Sequence, residues 1–249
     1  MKRRTVMRLL GLGSLTALSG CDRLSQATWF PRVLGTAESV NRHLHRALGR
    51  DALAKEFTEA DLSPMFPSNG TRRPMDADYQ AHAARGFAAW RLSVGGLVER
   101  PRAFSLAELR ALPSRTQITR HDCVEGWSAI AKWHGVRLAA LLDEVRPLPQ
   151  ARFVVFHCFD TMDASGARYY ESIDFEDARH AQTILAYDWN DRPLPMPYGA
   201  PLRLRVERQL GYKMAKYLRA VELVESFEHI DGGRGGYWED RGYEWYAGI

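Results

Sequence analysis

Cysteine is scarce in this 249-residue chain, which has three, at Cys21, Cys123 and Cys158. None belongs to a CxxC or CxxCH pair, so a c-type haem and a cysteine-based zinc knuckle are excluded by spacing. An internal repeat is lacking, and beyond the N-terminal stretch so is any apolar run long enough to span a bilayer. Charge of one sign is also lacking. Basic residues number 34 and acidic ones 30, but Lys2, Arg3, Arg4 and Arg8 supply four of the former and the first 20 residues hold no acid. Without that segment 30 bases face 30 acids, and a nucleic-acid partner loses its electrostatic basis.

What is present begins with the leader. Lys2-Arg3-Arg4 precedes the apolar stretch Leu9 to Leu18, too short to cross a bilayer and flanked like an export signal. Arg3-Arg4-Thr5-Val6-Met7-Arg8 resembles the twin-arginine pattern of proteins exported already folded. Leu18-Ser19-Gly20-Cys21 resembles a bacterial lipobox, which makes Cys21 the expected lipidation site and mature N-terminus, and Asp22 resembles an inner-membrane retention signal. The expected organisation is a signal peptide over 1–20, an anchor and tether over 21–36 and one domain over 37–249. The 45% hydrophobic content suits one medium-sized core.

Within that domain Val40, Leu44, Ala47 and Leu48 predict an amphipathic helix running to about Phe57, with its stripe packed in the core. His43 and His45, two apart, point to different faces and cannot chelate together. Leu62 to Pro74 has loop composition, and Asn69-Gly70 reads as a turn. Trp90, Leu92 and Val94 alternate as a strand, with Gly95-Gly96 as a turn or bulge. Ser105-Leu106-Ala107-Glu108 predicts a capping box that opens a helix through Leu112. Thr116 and Ile118 suggest a strand delivering Cys123 to a loop that turns at Gly126. Gly135 to Leu142 predicts another helix, and Phe153 to Phe156 a buried strand leading to His157 and Cys158. Further strands are expected over 185–189, 202–206 and 218–224. Short strands mixed with scattered helices indicate an α+β fold.

Three constellations carry candidate chemistry. Cys123 lies in Arg120-His121-Asp122-Cys123-Val124-Glu125-Gly126-Trp127-Ser128, where a thiolate suits a metal, while a Cys123–Cys158 disulfide is the structural alternative. Arg203, Lys213 and Lys216, with the backbone at Gly211, suit a phosphate-bearing ligand; on an alternating strand, however, Arg203 also reads as a solvated face residue. The glycine- and aromatic-rich tail from Asp231 to Tyr246 reads as a packing flap, because acids at Glu239, Asp240 and Glu244 oppose nucleic-acid stacking.

Cys-Val-Glu-Gly-Trp-Ser at Cys123, Trp133 ten residues on, Tyr198-Gly-Ala-Pro-Leu-Arg and Gly211-Tyr-Lys-Met-Ala-Lys together resemble the sulfite oxidase superfamily of molybdopterin enzymes. Across Asp61 to Ser226 the chain is most similar to the bacterial periplasmic branch typified by the catalytic subunit of protein-methionine-sulfoxide reductase. The resemblance implies a molybdopterin cofactor with Cys123 as the catalytic thiolate that ligates molybdenum, a soft donor for that metal. It implies cofactor contacts from Asn69, Arg203, Lys213 and the loop Met214, Ala215 and Lys216. Cys158 stands where the reductase has threonine, which implies a pocket-lining residue and not a second ligand. Tyr198 stands at a cofactor contact where relatives carry Asn or His.

Sulfite oxidases place arginines just after the ligand cysteine, whereas Val124, Glu125 and Gly126 follow it here. A carboxylate beside the metal repels sulfite, so the expected reaction is reduction of an S-oxide or N-oxide. Arg120, His121 and Glu125 are candidates for shaping or protonating the substrate. The chain also stops soon after the cofactor region, where the reductase has a longer extension, so its substrate channel need not be the same. Electrons are expected from a membrane haem or quinone-linked partner, with the enzyme lipid-anchored on the periplasmic side of the inner membrane. The rival readings are a non-catalytic ligand-binding lipoprotein, a sulfite-oxidising enzyme and a disulfide-stabilised structural protein.

Overall fold

The computed structural model describes residues 27–249, so the leader and Cys21 lie outside the described residues. The chain divides into two compact units, one ending at Arg50 and the other spanning Asp51–Ile249. The first contributes α1 (Phe30–Gly49). This helix starts within the expected tether, because Pro31 sits in its first turn, where a missing N–H breaks no intrahelical bond. It also ends well short of Phe57. Its stripe is not core: Val40, Leu44 and Leu48 are exposed.

The second unit is built on two sheets. After α2 (Ala77–Ala84) come β1 (Arg91–Gly96), β2 (Arg102–Ser105), α3 (Leu106–Ala111), β3 (Ser114–Asp122), β4 (Ser128–Arg137) and α4 (Leu138–Val145). Then follow β5 (Phe153–Thr161), β6 (Arg168–Asp174), α5 (Phe175–Ala178), β7 (Ile184–Trp189), β8 (Arg192–Pro193), β9 (Arg203–Arg205) and β10 (Leu218–Val224). One sheet has the order β2-β1-β10-β5-β6, with β1 and β10 parallel and the other pairs antiparallel. The other runs β3-β4-β7-β8, and β9 pairs with β7. The architecture is α+β. β6, which no alternation in the sequence announced, has five consecutive buried residues, and a strand buried on both faces loses the period-2 signal.

Local rules explain the starts of several elements. The Ser105 hydroxyl accepts from the Glu108 N–H at 3.1 Å, and the Glu108 carboxylate accepts from the Ser105 N–H at 2.8 Å, completing the capping box of α3. Gly135 does not begin a helix. It lies in β4 beside a register shift, where an added Cβ would meet the Leu185 carbonyl oxygen at 2.2 Å. Bare backbone is required for β4 to lie against β7, and the helix starts only at Leu138.

The larger core gathers Trp90, Leu92, Val94, Phe104, Leu141, Leu142, Val154, Phe156 and Leu223 around the first sheet. A second cluster unites Phe66, Ala131, Trp133, Ile184, Ala186 and Trp189 on the other. β3 and β4, joined by the Cys123 loop, belong to that second sheet, so the loop stands at the end of a rigid hairpin.

Candidate active site

β3 ends at Asp122, and the chain turns tightly through Cys123 to Trp127. The Cys123 N–H donates to the Trp127 carbonyl at 2.9 Å and the Gly126 N–H to the Cys123 carbonyl at 2.9 Å, with Gly126 at φ +89°. That positive φ is why glycine stands there. The nearly buried Cys123 thiol accepts a hydrogen bond from the Asn69 amide at 3.3 Å. Burial first, and then the charge of Glu125, raise its pKa above the ordinary thiol value, against backbone and Asn69 donors that favour the thiolate. A cation at this sulfur therefore meets an acceptor that is already oriented.

The thiol faces a cavity lined by Asn69, Gly70, Thr71, Val124, Glu125, Asp160, Met162, Tyr169, Arg203, Gly211, Tyr212, Met214, Lys216, Trp238 and Tyr243. Segments far apart in sequence thus converge. Arg203 donates to the Tyr198 carbonyl at 3.0 Å and to the Met214 carbonyl at 3.2 Å, while its Nε is buried without a partner. Burial, reinforced by the neighbouring Arg205 cation, lowers its pKa to about 9. Lys216 donates to the carbonyls of Asn69 at 2.8 Å, Thr71 at 2.5 Å and Pro197 at 3.3 Å. Burial and Arg203 bring it down to about 7, with Asp160 opposing the shift.

A buried arginine with an orphaned N–H and a half-buried lysine, both held by carbonyls, form a site short of negative charge. An anion such as a phosphate satisfies both. Asp160 adds the opposite kind of deficit. It is buried, one of its oxygens has no partner, and burial raises its pKa to about 6 against the pull of Lys216. The donor set at Cys123 is a single soft sulfur, and no group of three or more His, Cys, Asp or Glu residues suited to a metal exists among the described residues. A metal held here needs most of its ligands from a bound cofactor.

The expected site residues separate into two groups. Cys123, Asn69, Arg203, Met214 and Lys216 line the cavity; Cys158, Tyr198, Lys213 and Ala215 do not. Cys158 lies on β5 opposite Leu218, fully buried in the larger core, and both it and Cys123 are free thiols, which removes the disulfide reading. The Tyr198 hydroxyl donates to the Phe66 carbonyl at 2.9 Å and its ring rests on Trp189, so only its carbonyl reaches towards the site, through Arg203. Lys213 is fully buried between Glu171 and Glu239. Ala215 is buried, its carbonyl accepting from the Leu204 N–H at 2.8 Å.

Three further expectations change. Arg203 is not a solvated face residue, because both faces of β9 are buried. Arg120 pairs with Asp122 at 2.9 Å, and His121 lies beneath the cavity floor, so neither reaches the lining. The His121 Nδ1 accepts from Arg205 at 2.9 Å and contacts the Met214 sulfur at 3.2 Å. Burial, then Arg205, Arg203 and Lys216, push its pKa well below the ordinary value, so the ring is neutral with its proton on Nε2. Gly211 lets this ring approach: a Cβ there would sit 2.4 Å from it. Glu125 does line the mouth, held by the Trp127 indole N–H at 2.9 Å.

Asp160, Tyr169, Tyr212, Trp238 and Tyr243 escaped the sequence reading as site residues. The tail did carry a signal, since its aromatics were legible as packing groups. Trp238 and Tyr243 stack with centroids 5.3 Å apart, and Tyr212 meets Tyr243 edge-on at 5.2 Å, which makes the flap one wall of the cavity.

Residues 80–229 match the family described as oxidoreductase molybdopterin binding domain. The chain is 37% identical to the putative protein-methionine-sulfoxide reductase subunit YedZ1 of Azospira oryzae, over 99% of this chain and 87% of that protein. It is also 37% identical to the protein-methionine-sulfoxide reductase catalytic subunit MsrP of Xanthomonas axonopodis pv. citri, over 55% of this chain but 45% of that one. Among solved structures, sulfane dehydrogenase SoxCD from Paracoccus pantotrophus aligns with a TM-score of 0.50 and 24% identity, over 56% of this chain and 39% of that chain. The likeness to SoxCD is one of fold.

Proposed function

Because this chain belongs to the oxidoreductase molybdopterin-binding domain family, we propose that it is a reductase of S-oxides or N-oxides that works at a molybdenum ligated by Cys123. That it is a molybdopterin-dependent oxidoreductase with the α+β sulfite-oxidase-type fold follows from the family itself. The observation that carries the finer reading is the convergence of Cys123, Asn69, Arg203, Met214 and Lys216 on one cavity.

In this reading Arg203 and Lys216 would hold the cofactor phosphate, a role suited to two cations at one cavity and to an arginine with an unpartnered Nε. The Asn69 amide steadies the Cys123 sulfur. The bound molybdenum supplies oxygen-atom transfer by cycling between oxidation states. Reduction of a sulfoxide consumes two electrons and two protons and yields a thioether and water. Glu125, fixed by Trp127 at the mouth, repels anionic substrates such as sulfite and favours neutral oxides. Val124, Met162, Trp238 and Tyr243 offer apolar surface for the groups flanking the oxygenated atom.

The electrons come from a membrane haem or quinone-linked partner, a proposal supported by the absence of a CxxCH motif and by the word subunit in the Azospira relative's name. Export, lipidation of Cys21 and residence on the periplasmic side of the inner membrane are supported by the leader pattern alone. Mass analysis of the intact membrane-extracted protein should find a lipid adduct on Cys21; a mature chain without one overturns the anchor.

The enzymatic reading is tested by molybdenum analysis of protein from a cofactor-producing host, followed by turnover of a panel of sulfoxides and N-oxides with a reduced viologen dye. Wild type and Cys158→Ala should retain the metal, and Cys123→Ala should lose it. Wild type that carries molybdenum but turns over sulfite and no oxide would overturn the proposed direction.

A further inference from the structure

We propose that Trp133 is the positioning residue for Arg203, its indole face holding the guanidinium charged and in place at the cavity that receives the cofactor. This role rests on Arg203 holding the cofactor phosphate, and it places a supporting group behind that contact.

Arg203 and Arg205 stand two residues apart on β9, so both side chains leave the strand on the same side. They are 4% and 0% exposed. Like charges this close, and removed from water, oppose each other. Arg205 is compensated by a carboxylate: its Nε donates to Glu207 at 2.8 Å, a second nitrogen pairs with the same residue at 2.5 Å, and His121 Nδ1 accepts from a third at 2.9 Å. Arg203 has only neutral carbonyls, those of Tyr198 and Met214, on its two terminal nitrogens, and its Nε is unpartnered. Burial and the Arg205 cation both work against its charge.

The ring of Trp133 opposes that penalty. Trp133 lies on β4, fully buried, with its centroid 5.0 Å from the Arg203 Cζ and 4.4 Å from the Arg205 Cζ. An aromatic face carries negative potential and accepts a planar guanidinium, with the largest effect where water is excluded.

Two details show that this site uses the face of the indole and not its polar edge. The Trp133 Nε1–H is buried without a hydrogen-bond partner, a cost that phenylalanine would avoid. The sheet also clears a path to the ring. Ala186 of β7 stands in register between Arg203 and Gly135 of β4, so the row that separates β9 from β4 carries at most a methyl group. Phe66 meets the Trp133 ring edge-on at 5.6 Å, which fixes its orientation. Trp133 is not part of the cavity lining. It therefore acts through Arg203, leaving the Nε donor uncommitted.

Replacement by leucine removes packing together with the π face, so the decisive series keeps the shape of the ring. Tryptophan bearing one, two and three fluorines on its six-membered ring, installed at position 133 alone, draws electron density from the face in steps. The rate at which molybdenum leaves the loaded protein during dialysis is then measured. Release should accelerate with each fluorine and reach at least about threefold with three, the order expected for a lost cation–π contact. In an Arg203→Met background the same series should change nothing. A trifluorinated protein that keeps its molybdenum as long as wild type overturns the proposal. So does a fluorine effect that persists in Arg203→Met, because it then runs through Arg205 or through packing. Missing molybdenum in wild type, or wild-type release from Arg203→Met, defeats the cofactor reading and this role together; an inert fluorine series on metal-loaded protein defeats the role alone.

Discussion

Lys213, fully buried, and Lys216, half-buried, are three residues apart, yet the fold treats their charges in opposite ways. Lys213 sits between the carboxylates of Glu171 and Glu239. Burial disfavours its charge, but the two acids outweigh burial and its pKa rises. Glu171, buried and crowded by Glu239, moves well above the usual carboxylate range, so this cluster keeps a proton and is internally neutralised. Lys216 instead meets three carbonyls and a neighbouring Arg203, and its pKa falls to about 7. A compensated charge belongs to the scaffold; an uncompensated one is ready for a ligand that brings negative charge.

The sharpest way to break this contrast is to remove each cation in the cofactor-free protein. Lys213→Met leaves acids buried without their counter-ion, and urea unfolding should show a loss of about 3–5 kcal/mol. Glu239 ties the C-terminal flap to the segment that precedes Met214, so that loss should be accompanied by earlier proteolysis of the tail.

Arg203→Met should behave differently. Its side chain relinquishes two hydrogen bonds to carbonyls, so the cofactor-free protein should change by only about 1–2 kcal/mol. Cofactor retention after gel filtration, read as molybdenum and phosphate content, should drop at least tenfold, as expected for loss of a charge-assisted contact worth roughly 1.5–3 kcal/mol. Equal losses of stability and of retention would erase the distinction between the two cations.

The pH response carries the same contrast with opposite signs. Lys216 has a folded pKa near 7, below its ordinary 10.5, so between these values the unfolded chain binds more protons. The cofactor-free protein should gain stability from this group as pH rises through that window. Retention of an anionic cofactor should fall over the same rise, because the charged ammonium is being lost. Lys216→Met should flatten the first trend, measured by urea midpoints at pH 7 to 9. Asp160 acts at lower pH: its value is raised to about 6 from 3.8, so its contribution is present below 3.8 and is lost as pH climbs to about 6.

The smallest effect concerns a feature remote from both cations. Ser105→Ala removes the cap of α3 and should cost about 1 kcal/mol of stability without touching molybdenum content.

That cap was legible because Ser105 and Glu108 act within four residues. The strand leading to Cys123 and the buried run of β5 were legible for a similar reason, since local alternation or local hydrophobicity is enough to define them. Arg203 was not, because alternation along β9 predicts one wet face, and only the covering of both faces by the rest of the fold makes Arg203, Arg205 and Glu207 interior residues. Gly135 was misplaced because nothing near it in sequence reveals the approach of β7. The stripe of α1 was correctly seen as amphipathic, but periodicity does not state what an apolar face meets.

By itself, the sequence determined the α+β class, the placement of Cys123 on a loop after a strand and the basic segments that accompany it, all patterns written over short spans. Only the tertiary structure decided which of those basic residues are useful to a ligand. It buried Lys213 against two acids, left Lys216 and Arg203 undercompensated beside Cys123, and brought Asp160, Tyr169 and the aromatic tail to the same cavity. Charge compensation and desolvation depend on neighbours supplied by distant parts of the chain, and no local pattern encodes them.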